Sequence, residues 1–355
     1  MDIKTTLKNW LNHNNSCINK QLKELGYQQI KHKRLSFITD NNNDNDGQLI
    51  NALPNISQLT GLTKAVHTNF GRVMIKWQIH SCFSYHSTVF DELCCELCHE
   101  IIVLSALSQA KISQNLSHIL PIYNSHNKQI PIDNFIYDNV VDGRFNQGLF
   151  VMFAMPYYPL ASVNHYLKQH LSTQQKHALL LAMAQALLSI HQAGWVHGDV
   201  KPSNFLIGHY DKQKYPFFEM VCCDFAQARP NTSQSKFKNS GQGGTPAYLA
   251  PECWQGQPIS VQSDVYAFGV MMMEILTGKR PFIVVKSVDK LDTRTVVKNS
   301  DNRLPQWALQ HCQQPIPRLP YSYHRYQPIV DKLLAKYPNQ RYQSMAEVVE
   351  VLSKQ

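Results

Sequence analysis

Apolar positions in residues 2–25 recur at near-helical spacing: Ile3, Leu7, Trp10, Leu11, Ile18, Leu22 and Leu25. The polar run Asn12 to Ser16 divides them, so the pattern predicts one or two short helices, with Gly26 as the stop. Thr39 to Gly47 reads TDNNNDNDG, holds nothing to bury, and marks a flexible loop or linker. From about residue 58 the periodicity shortens. Val73-Met74-Ile75-Lys76 is a β-prone run that ends in a lysine, and Ile119 to Tyr123 and Leu149 to Met155 also read as strands. Asp91 to Leu107 is spaced as a helix. Beyond residue 160 the pattern is mostly helical, with Ser172 and Gln175 placed as a capping box ahead of Leu179 to Ile190. Strands early and helices late predict an α+β chain with lobes of different class. The boundaries fall at a helical extension over 1–50, closed by the Asn/Asp-rich linker, a small β-rich lobe over 51–158 and a larger, mostly helical lobe over 159–355. No internal repeat is visible.

Composition narrows the class. The chain has 355 residues, 43% hydrophobic and 17% charged, which excludes a wholly disordered polymer. Its formal net charge is +9, and seven of its basic residues lie within 1–38 against Asp2 and Glu24. A solvated basic face accounts for this patch, Lys31-His32-Lys33-Arg34 included, and no nucleic-acid partner is expected. The nine cysteines follow no apolar signal core, so reduced thiols and a cytoplasmic setting are expected. Cys95-Glu96-Leu97-Cys98-His99 has the spacing of haem attachment, but in a helical run it reads as thiols on a helix. The longest apolar stretch, Ala178 to Ile190, is broken by Gln185 and Ser189 and too short for a bilayer, so no membrane insertion is expected. The sixteen histidines show no paired-ligand spacing and predict no zinc site. Met271-Met272-Met273 and Cys222-Cys223 read as core.

The chemistry concentrates in His197-Gly198-Asp199-Val200-Lys201-Pro202-Ser203-Asn204. An aspartate can orient a hydroxyl and accept its proton, a lysine two residues on can neutralise a transferring phosphoryl group, and an asparagine carbonyl can hold Mg²⁺. Asp224-Phe225-Ala226 follows twenty residues later, behind the apolar Met220 to Cys223, and offers a second oxygen ligand for a hard cation.

This set resembles the protein kinase family, most nearly bacterial serine/threonine kinases. Asp199 to Asn204 is similar to the catalytic loop in its serine/threonine form, and Asp224-Phe225-Ala226 stands where DFG is expected. Gly244-Thr245-Pro246-Ala247-Tyr248-Leu249-Ala250-Pro251-Glu252 resembles the end of an activation segment. Ser263-Asp264-Val265-Tyr266-Ala267-Phe268-Gly269 resembles the start of the following buried helix, and Lys332 to Arg341 the last family element. The resemblance covers roughly 58–352. It implies a two-lobed protein-kinase-like fold and transfer of the γ-phosphoryl of Mg-ATP to a Ser or Thr hydroxyl of a protein. Asp199 would be the catalytic base, Lys201 the phosphate stabiliser, Thr245 their support, and Asn204 and Asp224 the Mg²⁺ ligands. Lys76 would hold the α/β-phosphates. Glu92, Glu96 and Glu100 compete to be its partner, and Glu100 is chosen because Leu104 and Leu107 follow on the same helical face. Gly61, Val66, Met74, Met155, Pro156, Tyr158 and Leu206 complete the ATP-binding set, with Met155 as gatekeeper. Adenine would take a carbonyl from Pro156, which has no N–H, and an N–H from Tyr158. His197 and Phe225 would pack, and Arg341 would pair with Glu252.

Four positions depart from the family pattern. Gly61 is the only glycine in Leu59 to Ala65, where a phosphate-cradling loop is expected, and Lys64 would offer charge instead. Met74 replaces an alanine against the adenine, Ala226 the glycine of DFG, and Gly198 the arginine that reads an activation-loop phosphate. The last predicts activity independent of phosphorylation at Thr232, Ser233, Ser235 or Ser240. Two other functions stand beside the kinase: a scaffold or pseudokinase, suggested by the glycine-poor loop and Met74, and a small-molecule kinase, suggested by His197-Gly198-Asp199 but opposed by Gly244 to Glu252. The polar stretch 284–315 and the oligomeric state are unassigned.

Overall fold

The computed structural model describes residues 15–39, 56–81, 96–114, 118, 120, 122, 136–137, 148–211, 217–231, 244–284 and 303–355. The chain divides into two compact units, Met1–Ser108 with Pro121–Tyr157, and Gln109–Leu120 with Tyr158–Gln355.

The first unit is built on a five-stranded antiparallel sheet. Its strands are β1 (Tyr27–Thr39), β2 (Ile56–His67), β3 (Gly71–Ser81), β4 (Ile136–Tyr137) and β5 (Gly148–Pro156), in the order β1-β2-β3-β5-β4. Helix α1 (15–24) packs Ile18 and Leu22 into a core with Leu59 and Ala65 of β2, Val73, Ile75, Trp77 and Ile79 of β3, and Phe150, Met152 and Ala154 of β5. Alternation along a strand sends the intervening residues to the opposite face. There the rungs are Leu62–Lys76–Phe153 and Lys64–Met74–Met155. Helix α2 (Glu96–Gln114) follows β3 in the chain order.

The sheet corrects two expectations. Tyr27–Thr39, inside the stretch set apart as a helical extension, is an edge strand paired with β2. Its alternation is hard to read because the register shifts between Gln28 and Lys31 and again between His32 and Arg34, and Gln29 has φ +50°. The helix expected over 2–25 is present at 15–24, and its earlier part lies outside the described residues. Of the linker expected at Thr39 to Gly47, Thr39 ends β1 and the rest lies outside the described residues, within 40–55, between two strands whose ends pair at Thr39 and Ile56. Gly61 is the second correction. It sits in mid-β2, opposite Leu35 and Trp77, on the core face and not the face that carries Lys76. A Cβ there would lie 2.1 Å from the Trp77 ring. This glycine makes room for an indole. Trp77 donates through Nε1 to Thr63 Oγ1 at 2.8 Å, and His32 meets the same hydroxyl at 2.7 Å and Asn19 Oδ1 at 3.1 Å, tying α1 and β1 to the sheet.

The second unit is mainly helical: α3 (Val163–Tyr166), α4 (Thr173–Gln192), α5 (Pro251–Trp254), α6 (Val261–Thr277), α7 (Leu304–Gln313), α8 (Gln327–Leu333) and α9 (Met345–Ser353). Ser172 and Gln175 form the expected capping box, at 3.2 and 2.9 Å. Helix α6 is buried almost throughout, including Met271, Met272 and Met273. Short strands complete the unit: β6 (Trp195–Val196) pairs with β9 (Arg229–Pro230), and β7 (Phe205–Asp211) with β8 (Phe217–Cys222). Of the strand expected at Ile119 to Tyr123, Leu120 and Ile122 are described and neither lies in a strand, because Pro121 between them has no N–H for a ladder. The unassigned stretch 284–315 contains α7, and 285–302 lies outside the described residues. No helix among the described residues is long and apolar enough to cross a membrane.

Candidate active site

The loop after β6 gathers the polar residues singled out above. Its backbone is fastened from below by Asp264 of α6, which is 2% exposed. One Asp264 oxygen accepts from the His197 N–H at 2.7 Å and lies 2.9 Å from His191 Nε2; the other accepts from the Gly198 N–H at 3.0 Å. Sequence reasoning placed Asp264 in the buried helix but gave it no task. Its signal was a carboxylate at the head of the long apolar run Val265 to Met273. With the loop fixed, Asp199 accepts from Thr245 Oγ1 at 2.7 Å and from Lys201 Nζ at 2.5 Å, while Lys201 also donates to Thr245 at 2.8 Å. Asn204, carried on a 3₁₀ turn, donates through Nδ2 to the Asp199 carbonyl at 2.9 Å. Its backbone carbonyl accepts from the Cys223 N–H at 2.9 Å, so pairing of β7 with β8 seats Asp224 beside this loop. Asp224 has φ +67°, a left-handed turn that an aspartate tolerates better than most residues. Phe225 is fully buried, its ring centroid 5.0 Å from that of His197.

An asparagine carbonyl and a carboxylate on adjoining backbone suit a hard, oxygen-seeking cation that shares its remaining positions with phosphate and water. No cluster of three or more His, Cys, Asp or Glu able to hold a metal occurs among the described residues.

In the first unit, Lys76 donates to Glu100 Oε2 at 2.6 Å. Glu100 is 2% exposed, Glu96 is exposed, and Glu92 lies outside the described residues. Met74 pairs with Met155, and Val66 pairs with Arg72 near the β2–β3 turn. Lys64 lies within β2 and not in a loop; its amino group sits 3.7 Å from the centroid of the Tyr157 ring. Pro156 ends β5, and the Tyr157 N–H donates to the Arg72 carbonyl. In the second unit, Tyr158 and Leu206 sit near the β7–β8 hairpin: Leu206 pairs with Val221, and a Cβ on Gly208 would meet the Tyr158 ring at 3.3 Å.

The protein kinase domain family model matches residues 107–352, more than half of the chain. The chain belongs to the protein kinase domain family. It is 35% identical over 170 residues to serine/threonine-protein kinase PknB of Mycolicibacterium smegmatis, covering 46% of this chain and 23% of that protein. It is 30% identical over 195 residues to the probable serine/threonine-protein kinase CE0033 of Corynebacterium efficiens, covering 52% and 26%. It is 29% identical over 195 residues to the probable serine/threonine-protein kinase gdt4 of Dictyostelium discoideum, covering 51% and 12%. The chain thus spans about a quarter or less of the length of these relatives.

Two further features of this kinase domain bear on its loops. Glu252 of α5 and Arg341 form a two-pronged pair at 2.8 and 2.7 Å, with Arg341 1% exposed. Arg341 also donates to the carbonyls of Ala335, Gln262 and Lys336, and Ser263 donates to Glu252 at 2.8 Å. Burial alone would raise the Glu252 carboxyl, but the guanidinium outweighs it and holds the group below its ordinary range. The second feature is Gly198. With φ +76°, a Cβ would meet Gln227 O at 2.6 Å and Ile259 Cδ1 at 2.7 Å. An arginine does not fit this backbone, so the glycine is a commitment of the fold and not a simple loss of side chain. The four candidate phosphorylation positions, Thr232, Ser233, Ser235 and Ser240, lie outside the described residues.

Proposed function

We propose that this chain is an ATP-dependent protein serine/threonine kinase that moves the γ-phosphoryl of Mg-ATP to a Ser or Thr hydroxyl. The observation that carries the reading is the closed triangle of Asp199, Lys201 and Thr245, with Asn204 bonded back to Asp199. Such a triangle leaves a carboxylate aimed and partly shielded, with a cation beside it. Asp199 would orient the acceptor hydroxyl and take its proton as the new O–P bond forms and the β–γ bridging O–P bond breaks. Lys201 would offset charge on the transferring group, and Thr245 would keep both side chains in place. Lys76, held straight by Glu100, would grip the α/β-phosphates. Asn204 and Asp224 would hold Mg²⁺, whose chemistry here is to neutralise phosphate charge. Met155, Pro156 and Tyr158 would border the base.

One observation favours the scaffold alternative: the only glycine of the expected phosphate loop, Gly61, is committed to Trp77, and the face beyond Lys76 carries Met74 and Lys64. Asp224→Asn decides between them. The kinase reading expects phosphoryl transfer to fall at least about a hundredfold with the melting temperature unchanged, since one charged ligand is removed from a partly exposed position. Undiminished transfer by this variant would sink the metal assignment, and absence of transfer in the parent protein would favour the scaffold.

A further inference from the structure

Three rungs of the first unit's sheet lie side by side on the face that carries Lys76: Leu62–Lys76–Phe153, Lys64–Met74–Met155, and Val66–Arg72 with Tyr157 bonded to Arg72. β2 and β5 both flank β3, so their backbones are roughly 10 Å apart. A Lys64 amino group placed 3.7 Å from the Tyr157 ring centroid therefore has its side chain stretched across β3, between Met74 and Arg72. An ammonium at that distance over an aromatic face is attracted by the ring's quadrupole.

We propose that Lys64 and Tyr157 form a clasp across β3 that covers the base subsite for the nucleotide and must part before adenine can lie along Met74 and Met155. The inference rests on the reading of Lys76 and the Met155–Tyr158 stretch as nucleotide-binding. Its consequence is thermodynamic. A site that is open only part of the time binds more weakly than its open form, by the open fraction. It also reverses the role that the bare sequence suggests for Lys64. A lysine standing in for missing glycines would attract phosphates, and its loss would weaken ATP. A lysine spent on Tyr157 hinders the base, and its loss strengthens ATP.

The test is calorimetric titration of the full chain with Mg-ATP and, as a probe with no base, Mg-tripolyphosphate. Lys64→Val and Tyr157→Leu are each expected to tighten Mg-ATP about fivefold. The double variant should be no tighter than the better single one, because both remove one interaction. Tyr157→Leu, which changes no charge, should leave tripolyphosphate unaffected and serves if Lys64→Val does not fold. Weaker Mg-ATP binding by Lys64→Val would make the lysine a phosphate ligand and overturn the clasp, as would no change in either single variant. If the parent binds Mg-ATP and loses it in Lys76→Met while ignoring both clasp changes, the clasp falls and the nucleotide reading stands. If neither parent nor variants bind Mg-ATP, both fall.

Discussion

Arg341 shows how far one side chain can be committed. It is buried, paired twice with Glu252, bonded to three carbonyls, and 4.8 Å from the centroid of the Tyr266 ring. Every donor of the guanidinium has a partner, so its removal leaves Glu252 as a buried charge without its cation, answered by Ser263 and its own backbone N–H. Breaking one side of such a pair costs about 3–5 kcal/mol. Arg341→Ala is expected to lose that much in urea unfolding; an unchanged midpoint would mean that the pair does not hold α5 in place. The pair was expected from the resemblance to the protein kinase family. Gly61 was not, and the reason is physical. A lone glycine ahead of a β-prone run suggests a loop, and only the cross-strand register reveals that it faces Trp77.

At the scale of elements, what was legible in the sequence followed the strength of the periodicity. Helices α4 and α6 were visible from long apolar runs and a capping box. The polar loop Asp199 to Asn204 was visible as a dense motif, and β8 from the apolar run Met220 to Cys223 ahead of Asp224. Strand β1 was not, because three register shifts break its alternation and edge lysines mask its pairing. Helix α7 was missed because its sequence, LPQWALQHCQ, is low in overall hydrophobicity and follows a polar stretch. Its anchor is His311, 0% exposed, with Nδ1 3.0 Å from the Tyr266 hydroxyl and its ring against Phe282. Burial, aided by the Lys336 charge and opposed by the Ala247 carbonyl, pushes this imidazole down to about 3. The sign follows directly. The ring is neutral when folded and ordinary, near 6.5, when unfolded, so its contribution is whole above pH 6.5 and is lost as pH falls toward 3. The loss approaches about 1.4 kcal/mol per pH unit. His311→Phe removes that dependence. Melting temperatures taken from pH 7 to pH 4 should fall more steeply for the parent than for the variant; parallel curves would contradict the burial of a neutral ring.

For the molecule as a whole, the family match begins at residue 107, and strands β1, β2 and β3 of the five-stranded sheet lie outside it. That part carries the unusual features: a helix laid on the sheet's core face, a glycine given to a tryptophan, and a lysine drawn onto a tyrosine. The other unit holds the loop of Asp199, Lys201 and Asn204, the Asp264 anchor and the Glu252–Arg341 pair. On the proposed function, the first unit would govern how nucleotide is admitted and the second how phosphoryl is transferred. The most direct test of that claim is to incubate the purified full chain with γ-labelled Mg-ATP and a generic basic protein, beside Asp199→Asn. The account predicts label on Ser or Thr of the substrate from the parent protein and a loss of at least about a hundredfold in the variant, at equal melting temperature. Equal labelling by both, or none by the parent at saturating Mg-ATP, would contradict it.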